Sequence, residues 1–421
     1  MTEAAAPEQR RLVVDYEKFV SAAMVLFMSF VNVGMIEPSP YDLTSLIAMP
    51  IWFIGGFKVH RSFILFAGIL LIYLISGFIA LTPYLNDPSS TIYFYQTVYL
   101  VLTGLFFALY SGEKTQQRVE LLLVTFCFSS LIAAGAGALG YFDIAGLGAY
   151  FSYAGRASGT LKDPNVMGSA VILAILYLTL NLMLGRARST LLTATGLMIV
   201  FSGMFLTFSR GSYASTAVSF AVMMISVFVM SEDPRMKRRI LLSAAGALMI
   251  VAAVVAVILS LPETREFFSQ RTAATQDYDE GPTGRFGNQL RSIPMLLDRF
   301  WGFGPLRFRL VFDLDPHNSY VGSFANYGWI GGVLFILLVA VTTFIGLRLL
   351  FSKTPYLRQA QAIVPTTLSL FMQGFQIDVD HWRHAFFLIG VVWGLETARQ
   401  RWLERSASLP LNAAVAQRGG S

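Results

Sequence analysis

Asp315-Pro316-His317-Asn318-Ser319-Tyr320, running on into Tyr327-Gly328-Trp329-Ile330-Gly331-Gly332, marks where the longest polar segment of this 421-residue chain re-enters an apolar phase. A proline and an asparagine flank the histidine, so the backbone is expected to turn there and present the ring at a helix start. The Gly-rich apolar run behind it reads as a membrane helix whose small residues allow close packing. The chain has only four histidines. His317, held between a long polar loop and a helix, is the one placed to do chemistry.

Outward from that stretch the same apolar texture covers nearly everything. Hydrophobic residues make up 55% of the chain and charged residues 13%, more apolar character than a soluble domain needs, so the class is polytopic membrane protein. Runs long enough to cross a bilayer as helix, roughly 17–25 residues, recur at 18–36, 41–57, 62–82, 91–110, 119–140, 166–184, 190–208, 212–230, 240–261, 321–347, 359–376 and 384–398. The 321–347 run is long enough to begin with a short separate helix. The expected fold is all-α: a single membrane domain over residues 1–421 with about 12 transmembrane helices. One larger loop, about 262–316, carries short helices, and a tail follows at about 399–421. Cys127 is alone in an apolar run, which excludes a disulfide framework. Met1 to Val20 is polar and carries no cleavable signal, so the first span is expected to act as its own anchor.

A net charge of +6 could suggest nucleic acid, but the basic residues sit at span ends, as topology signals do. Of 31 lysines and arginines, 20 fall on one side, from Arg10, Arg11 and Lys18 to Arg399, Arg401, Arg405 and Arg418. Only Arg156, Lys162, Arg210 and Arg383 occupy short loops on the other side, and the remaining seven lie in the 262–316 loop. Both termini are therefore expected in the cytoplasm. The outside arginines override that bias, which marks them for function.

Each outside segment then offers candidates. In Tyr141 to Asn165, Arg156 precedes an irregular Gly159-Thr160 turn, and Asp163 or Asn165 caps the next helix. A helix N-terminus aimed at a cavity suits an anionic ligand; an ordinary capped turn is the plainer alternative. Phe208-Ser209-Arg210-Gly211-Ser212 joins two spans with almost no loop. An arginine at the bilayer centre costs about 2.5–3.5 kcal/mol or more, so Arg210 is expected at the interface or in a wet cavity. A snorkelling side chain is the alternative. In the long loop, Glu263 to Asp279 reads as a polar helix, and Gln276 to Pro282 as a mobile stretch. Thr283-Gly284-Arg285 then leads into an amphipathic run, Arg291 to Phe300, whose simplest account is a helix on the membrane surface. Arg285 at its start either reaches back over the pocket or stays a solvated loop charge. In Asp378-Val379-Asp380-His381-Trp382-Arg383-His384 the spacing leaves a metal site geometrically open. Nothing fixes a third ligand, so an acid–arginine–histidine network steadying the pocket mouth is the preferred account.

Taken in order, Arg156-x-x-Gly159-Thr160 with Asp163-Pro164-Asn165, Ser209-Arg210-Gly211, Thr283-Gly284-Arg285, Gly302-Phe303-Gly304 and His317-Asn318-Ser319-Tyr320 resemble the O-antigen ligase and O-antigen polymerase superfamily of bacterial envelope glycan transferases. The resemblance covers the chain from about Arg156 to Gly394. It implies a metal-independent transferase acting on polyprenyl-diphosphate-linked glycans at the periplasmic face of the inner membrane, with Arg210, Arg285 and His317 as the site.

The residue types suit that chemistry. A lipid diphosphate is already a good leaving group and needs charge neutralisation, which forked, always-charged guanidinium groups supply better than lysine. A sugar hydroxyl needs a base as it attacks, and histidine, with a reference pKa near 6.5, does such work at neutral pH. The expected reaction is one-step displacement at the anomeric carbon, with His317 as base and Arg210 and Arg285 on the diphosphate. Arg156, Asn165, Asn318, Asp378, Asp380, His381 and Arg383 are the further candidates for substrate contact. The expected partners are the polyprenyl-diphosphate-linked glycan donor, a glycan or lipid-core acceptor and membrane lipids, with no nucleic acid, cofactor or metal. Polymerase and ligase are not separated. A transporter or flippase of a lipid-linked sugar would use the same arginines without a base, but no convincing internal repeat supports it. A purely structural subunit leaves the outside arginines and His317 without a reason.

Overall fold

Several helices begin where the sequence supplies both a cap and a preset backbone. Ser39, Asp87 and Asp163 each accept a backbone N–H at the start of Pro40–Ile54, Pro88–Ser111 and Pro164–Ala170, and each is followed by proline. The acceptor side chain satisfies an orphan donor, while proline fixes φ and removes another. The computed structural model describes residues 7–262, 265, 268, 281 and 283–418, and among them the only sheet pairs Ser152–Tyr153 with Arg156–Ala157. The polar helix and mobile stretch expected over Glu263 to Pro282 lie almost wholly outside the described residues.

Among the described residues seven helices are long and apolar enough to cross a membrane: Arg61–Tyr84, Pro88–Ser111, Thr115–Tyr141, Pro164–Met183, Arg210–Met230, Pro234–Val257 and Ser319–Leu350. About 12 were expected from apolar runs of roughly 17–25 residues. The runs at 41–57, 190–208 and 359–376 do fold as helices, Pro40–Ile54, Thr190–Phe205 and Leu357–Gln373, but these have 15, 16 and 17 residues. That is short of the roughly 20 that span hydrocarbon untilted. The first run, 18–36, is helical only as far as Ser29, in Pro7–Ser29, and the last lies within Arg383–Arg418. The chain is a helical membrane protein.

Two compact units divide the chain. One comprises Met1–Lys58, Val119–Tyr213 and Leu241–Phe268; the other comprises Val59–Arg118, Ala214–Ile240 and Ser269–Ser421. Within the first, Pro7–Ser29 packs on Pro40–Ile54, and Ile172–Met183 on Thr190–Phe205. Thr160 ties the segment after Pro7–Ser29 in place, its Oγ1 donating to Asn32 O at 2.5 Å and its carbonyl accepting from Gly34 N at 2.8 Å.

Within the second unit, Arg383–Arg418 lies along Pro88–Ser111, and Ser319–Leu350 along Arg61–Leu81. Tyr73, Leu81, Phe94, Tyr327 and Phe335 form one core cluster. Tyr73 meets Tyr327 edge-on, centroids 4.9 Å apart at 89°, a geometry worth about 0.5–1.5 kcal/mol beyond burial.

Ser319–Leu350 is two helical limbs joined at Gly328 (φ 69, ψ −168). That break interrupts the i→i−4 ladder, and three of the groups at the break find partners outside the helix. Ala325 O accepts from Phe303 N at 2.7 Å and Gly304 N at 3.1 Å, Trp329 N donates to Phe300 O at 2.8 Å, and Ser76 Oγ donates to Tyr327 O at 2.7 Å. So close a backbone approach demands glycine: a Cβ on Gly328 would stand 2.4 Å from Phe300 O, and one on Gly302 2.5 Å from Phe324 O. The Gly302-Phe303-Gly304 stretch is thus the weld between the loop and the broken helix.

Candidate active site

Asn318 is the N-cap of Ser319–Leu350. Its Oδ1 accepts from Tyr320 N at 3.0 Å and Val321 N at 3.1 Å, while its Nδ2 donates to Phe375 O at 3.2 Å. With the side chain committed to capping, Asn318 works as a scaffold. His317, immediately before it, takes a positive φ of 46, uncommon for a non-glycine residue. Gln289 holds the turn from behind, its Nε2 donating to Pro316 O at 2.8 Å. The ring is thereby set half-exposed at the helix start.

The partner of that ring comes from the loop between Leu357–Gln373 and Arg383–Arg418. Asp378 Oδ2 stands 3.4 Å from His317 Nδ1, and Asp378 Oδ1 accepts from Asn318 N at 3.1 Å. Ser319 locks the same turn: its N donates to Gly374 O at 2.8 Å, its Oγ to Ile377 O at 3.2 Å, and the Oγ accepts from Val379 N at 2.7 Å. Tyr320 adds a ring stacked on Phe375 at 4.2 Å and a hydroxyl donating to Phe371 O at 2.9 Å. The hydrogen bond that His317 donates to Asp378 lifts its pKa above the ordinary 6.5, against the opposing effect of burial.

Arg285 opens the helix Arg285–Leu297 after Gly284. Its Nη1 donates to Gln376 O at 3.0 Å and its guanidinium lies 4.8 Å from the centroid of Phe286. The Gln376 carbonyl lies two residues before Asp378, and the positive charge of Arg285 is felt at His317, where it works against the rise in pKa. His317, Asp378 and Arg285 therefore meet on one turn, a fixed guanidinium beside a carboxylate-held imidazole.

Asp380 and His381 turn the other way, into the protein. The His381 ring stacks on Tyr93 at 3.8 Å between centroids, and its Nε2 lies 2.9 Å from Thr97 Oγ1. Its Nδ1 is 3.4 Å from Asp380 Oδ2, on a side chain only 4% exposed. Thr97 also bonds the Tyr327 hydroxyl, and Asn326 Nδ2 donates to Tyr93 OH at 3.0 Å. These bonds anchor the far side of the Asp378 turn to Pro88–Ser111 and Ser319–Leu350. Arg383 begins Arg383–Arg418. Among the described residues no group of three or more His, Cys, Asp or Glu is placed to hold a metal ion.

The remaining candidates lie in the first unit. Arg156 Nε donates to Thr207 O at 2.6 Å and Nη2 to Asn165 Oδ1 at 2.8 Å. Asp163 is the cap, its Oδ1 accepting from Asn165 N at 2.6 Å. Ser212 Oγ reaches Ser209 Oγ at 3.0 Å, and Ala157 N donates to Leu206 O at 3.0 Å. Arg156 and Asn165 thus brace the turn, with Phe208 at φ 47, that leads to Arg210 at the head of Arg210–Met230.

Sequence reasoning placed Asp378 among substrate contacts and did not pair it with His317, because 61 positions separate them. It also passed over Gln289. The clue there was a run of buried polar side chains, Asn288, Gln289 and Ser292, on one side of an amphipathic helix.

A family model described as O-antigen ligase matches residues 195–336. Arg210, Arg285 and His317 all fall inside that span, and Asp378 lies beyond its end. No curated protein matches the chain.

Proposed function

We propose that this chain, whose residues 195–336 belong to the O-antigen ligase family, is a membrane glycosyltransferase that moves a polyprenyl-diphosphate-linked glycan onto a sugar hydroxyl at the periplasmic face of the bacterial inner membrane. His317 is the general base. Asp378, bonded to Nδ1, keeps the proton on that nitrogen and leaves the Nε2 lone pair for the acceptor. As the acceptor oxygen bonds to the anomeric carbon, its proton passes to Nε2 and the bond to the diphosphate breaks. Arg285 neutralises the charge that gathers on the departing diphosphate, the kind of electrostatic help that outweighs acid catalysis when the leaving group is already good.

A single geometric fact carries this: an imidazole 3.4 Å from a carboxylate, with an arginine bonded to the carbonyl two residues before that carboxylate. A binding or transport protein needs the arginine but has no use for the oriented base.

The deciding experiment assays His317→Ala with purified lipid-linked oligosaccharide, measuring donor binding and transfer separately. The expected result is retained binding with transfer reduced by about 10²–10⁴, the usual worth of a positioned base. Unchanged transfer removes His317 from the chemistry. Donor binding without turnover in the wild-type chain favours a transporter.

A further inference from the structure

The helix Arg285–Leu297 is amphipathic in the reverse of the usual sense. Its buried side carries Asn288, Gln289 and Ser292, all satisfied internally: Asn288 Nδ2 donates to Phe312 O at 3.2 Å, Gln289 Nε2 to Pro316 O at 2.8 Å, and Ser292 Oγ to Gln289 O at 2.7 Å. Its outward side carries Phe286, Leu290, Ile293 and Leu297, all exposed, Leu290 by 70%. These positions share one helical stripe, and exposed Phe300 and Trp301 follow it. A contiguous apolar stripe of this size marks a surface meant to be covered.

Its depth says by what. Trp329 Nε1 donates to Leu296 O at 3.0 Å and Trp329 N to Phe300 O at 2.8 Å, so the C-terminal end of Arg285–Leu297 is level with Trp329. From Trp329 to Leu350 the second limb of the long helix runs about 33 Å at roughly 1.5 Å per residue, against a hydrocarbon thickness of about 30 Å. When that limb spans the bilayer, Leu296, Phe300 and Trp301 sit at the hydrocarbon boundary. An exposed arginine follows the stripe at this level: Arg299, over the Phe303 ring at 5.0 Å. Interfacial aromatics with cations beside them are what a lipid headgroup region accepts.

We propose that the Phe286–Leu290–Ile293–Leu297 stripe, with Phe300 and Trp301, is immersed in the acyl–headgroup boundary of the leaflet on the His317 side, with Arg299 meeting lipid phosphates. Arg285, at the head of the same helix, and the His317 turn held by Gln289 are thereby kept near the phosphate level. The lipid contact is independent of the chemistry assigned to His317.

The test uses the full chain in vesicles of phosphatidylcholine and phosphatidylglycerol whose acyl chains carry bromine either close to the headgroup or close to the methyl end. The Trp301 emission is taken as the difference between wild type and Trp301→Phe. The expected result is strong quenching of that component by shallow bromine, weaker quenching by deep bromine, and little by aqueous acrylamide. A second probe, a fluorophore on Leu290→Cys, is expected to follow the same order; Cys127 is buried, and the labelled wild type serves as its control. Free quenching by acrylamide with indifference to bromine at both positions overturns the proposal. Leu290→Cys chains that cross-link to one another while remaining silent to bromine overturn it too, in favour of a second copy on that face.

Discussion

Asp378 grips the His317 turn with both carboxylate oxygens, Oδ2 lying 3.4 Å from the ring Nδ1 and Oδ1 accepting the next backbone amide, that of Asn318, at 3.1 Å. One side chain thus sets both where the ring points and how readily it holds a proton.

A pH dependence with a definite sign follows. The carboxylate favours the imidazolium, so the His317 pKa lies above its ordinary 6.5, and a base must be neutral to act. Transfer is therefore expected to be low in acid and to rise through a midpoint above 6.5. In Asp378→Asn the largest cause of that rise is gone, and the acid limb shifts to lower pH while the plateau falls because the ring loses its orientation. Stability linked to this histidine runs the other way: it is present below the unfolded pKa and is lost as pH rises through the folded one. The pH–rate profiles of the two proteins check the assignment, and identical acid limbs refute it.

The two arginines are expected to fail as lysines. Arg285→Lys keeps the charge but loses the fork that bonds Gln376 O at 3.0 Å while still presenting donors to an oxyanion. Losing one charge-assisted hydrogen bond costs about 1.5–3 kcal/mol, so kcat/KM should drop roughly 10- to 100-fold. Arg210→Lys is expected to fall comparably. A steady-state titration of donor at fixed acceptor reads both, and a lysine variant with full activity would exclude that arginine from the reaction.

Gly328→Ala tests the weld behind the site. At φ 69 and ψ −168, a conformation nearly confined to glycine, a side chain costs on the order of 1–3 kcal/mol. Its Cβ would also stand 2.4 Å from Phe300 O. A clear drop in apparent melting temperature in detergent is expected. Gly68→Ala, with nothing within 4 Å of the added atom, should be neutral or slightly stabilising, since alanine suits a helix better. Equal melting of the two variants would contradict the Gly328 account.

Chelators are expected to leave transfer intact. A loss restored by adding back a divalent ion would instead give Asp378, Asp380, His381 and His384 a metal to hold.

Hydropathy alone determined that this chain is helical and membrane-spanning, because the bilayer imposes one length scale and one way to satisfy a backbone. Local chemistry likewise marked the turns: Asp163 or Asn165 was readable as a cap, and Asn318 as part of a turn at a helix start, because such signals depend on neighbours two or three positions away. The number of spans was less legible, since Pro40–Ile54 and Leu357–Gln373 are apolar yet only 15 and 17 residues long, and helix ends depend on packing.

Tertiary structure decided what sequence separation hid. The sequence grouped His317 with Arg285 by resemblance and left Asp378 among the substrate contacts; only folding brought the 374–382 turn against the helix start at Ser319 and paired His317 with Asp378. It also divided Asp378-Val379-Asp380-His381 between a half-exposed ion pair and a partly buried ring stack on Tyr93. Turning a helix by one residue sends a side chain to another face, and no local pattern specifies the final rotation. The same holds for Gly328, whose glycine is demanded by a carbonyl 28 residues away at Phe300. Burial and capping are written in short stretches, while partners are chosen by the packing of whole elements.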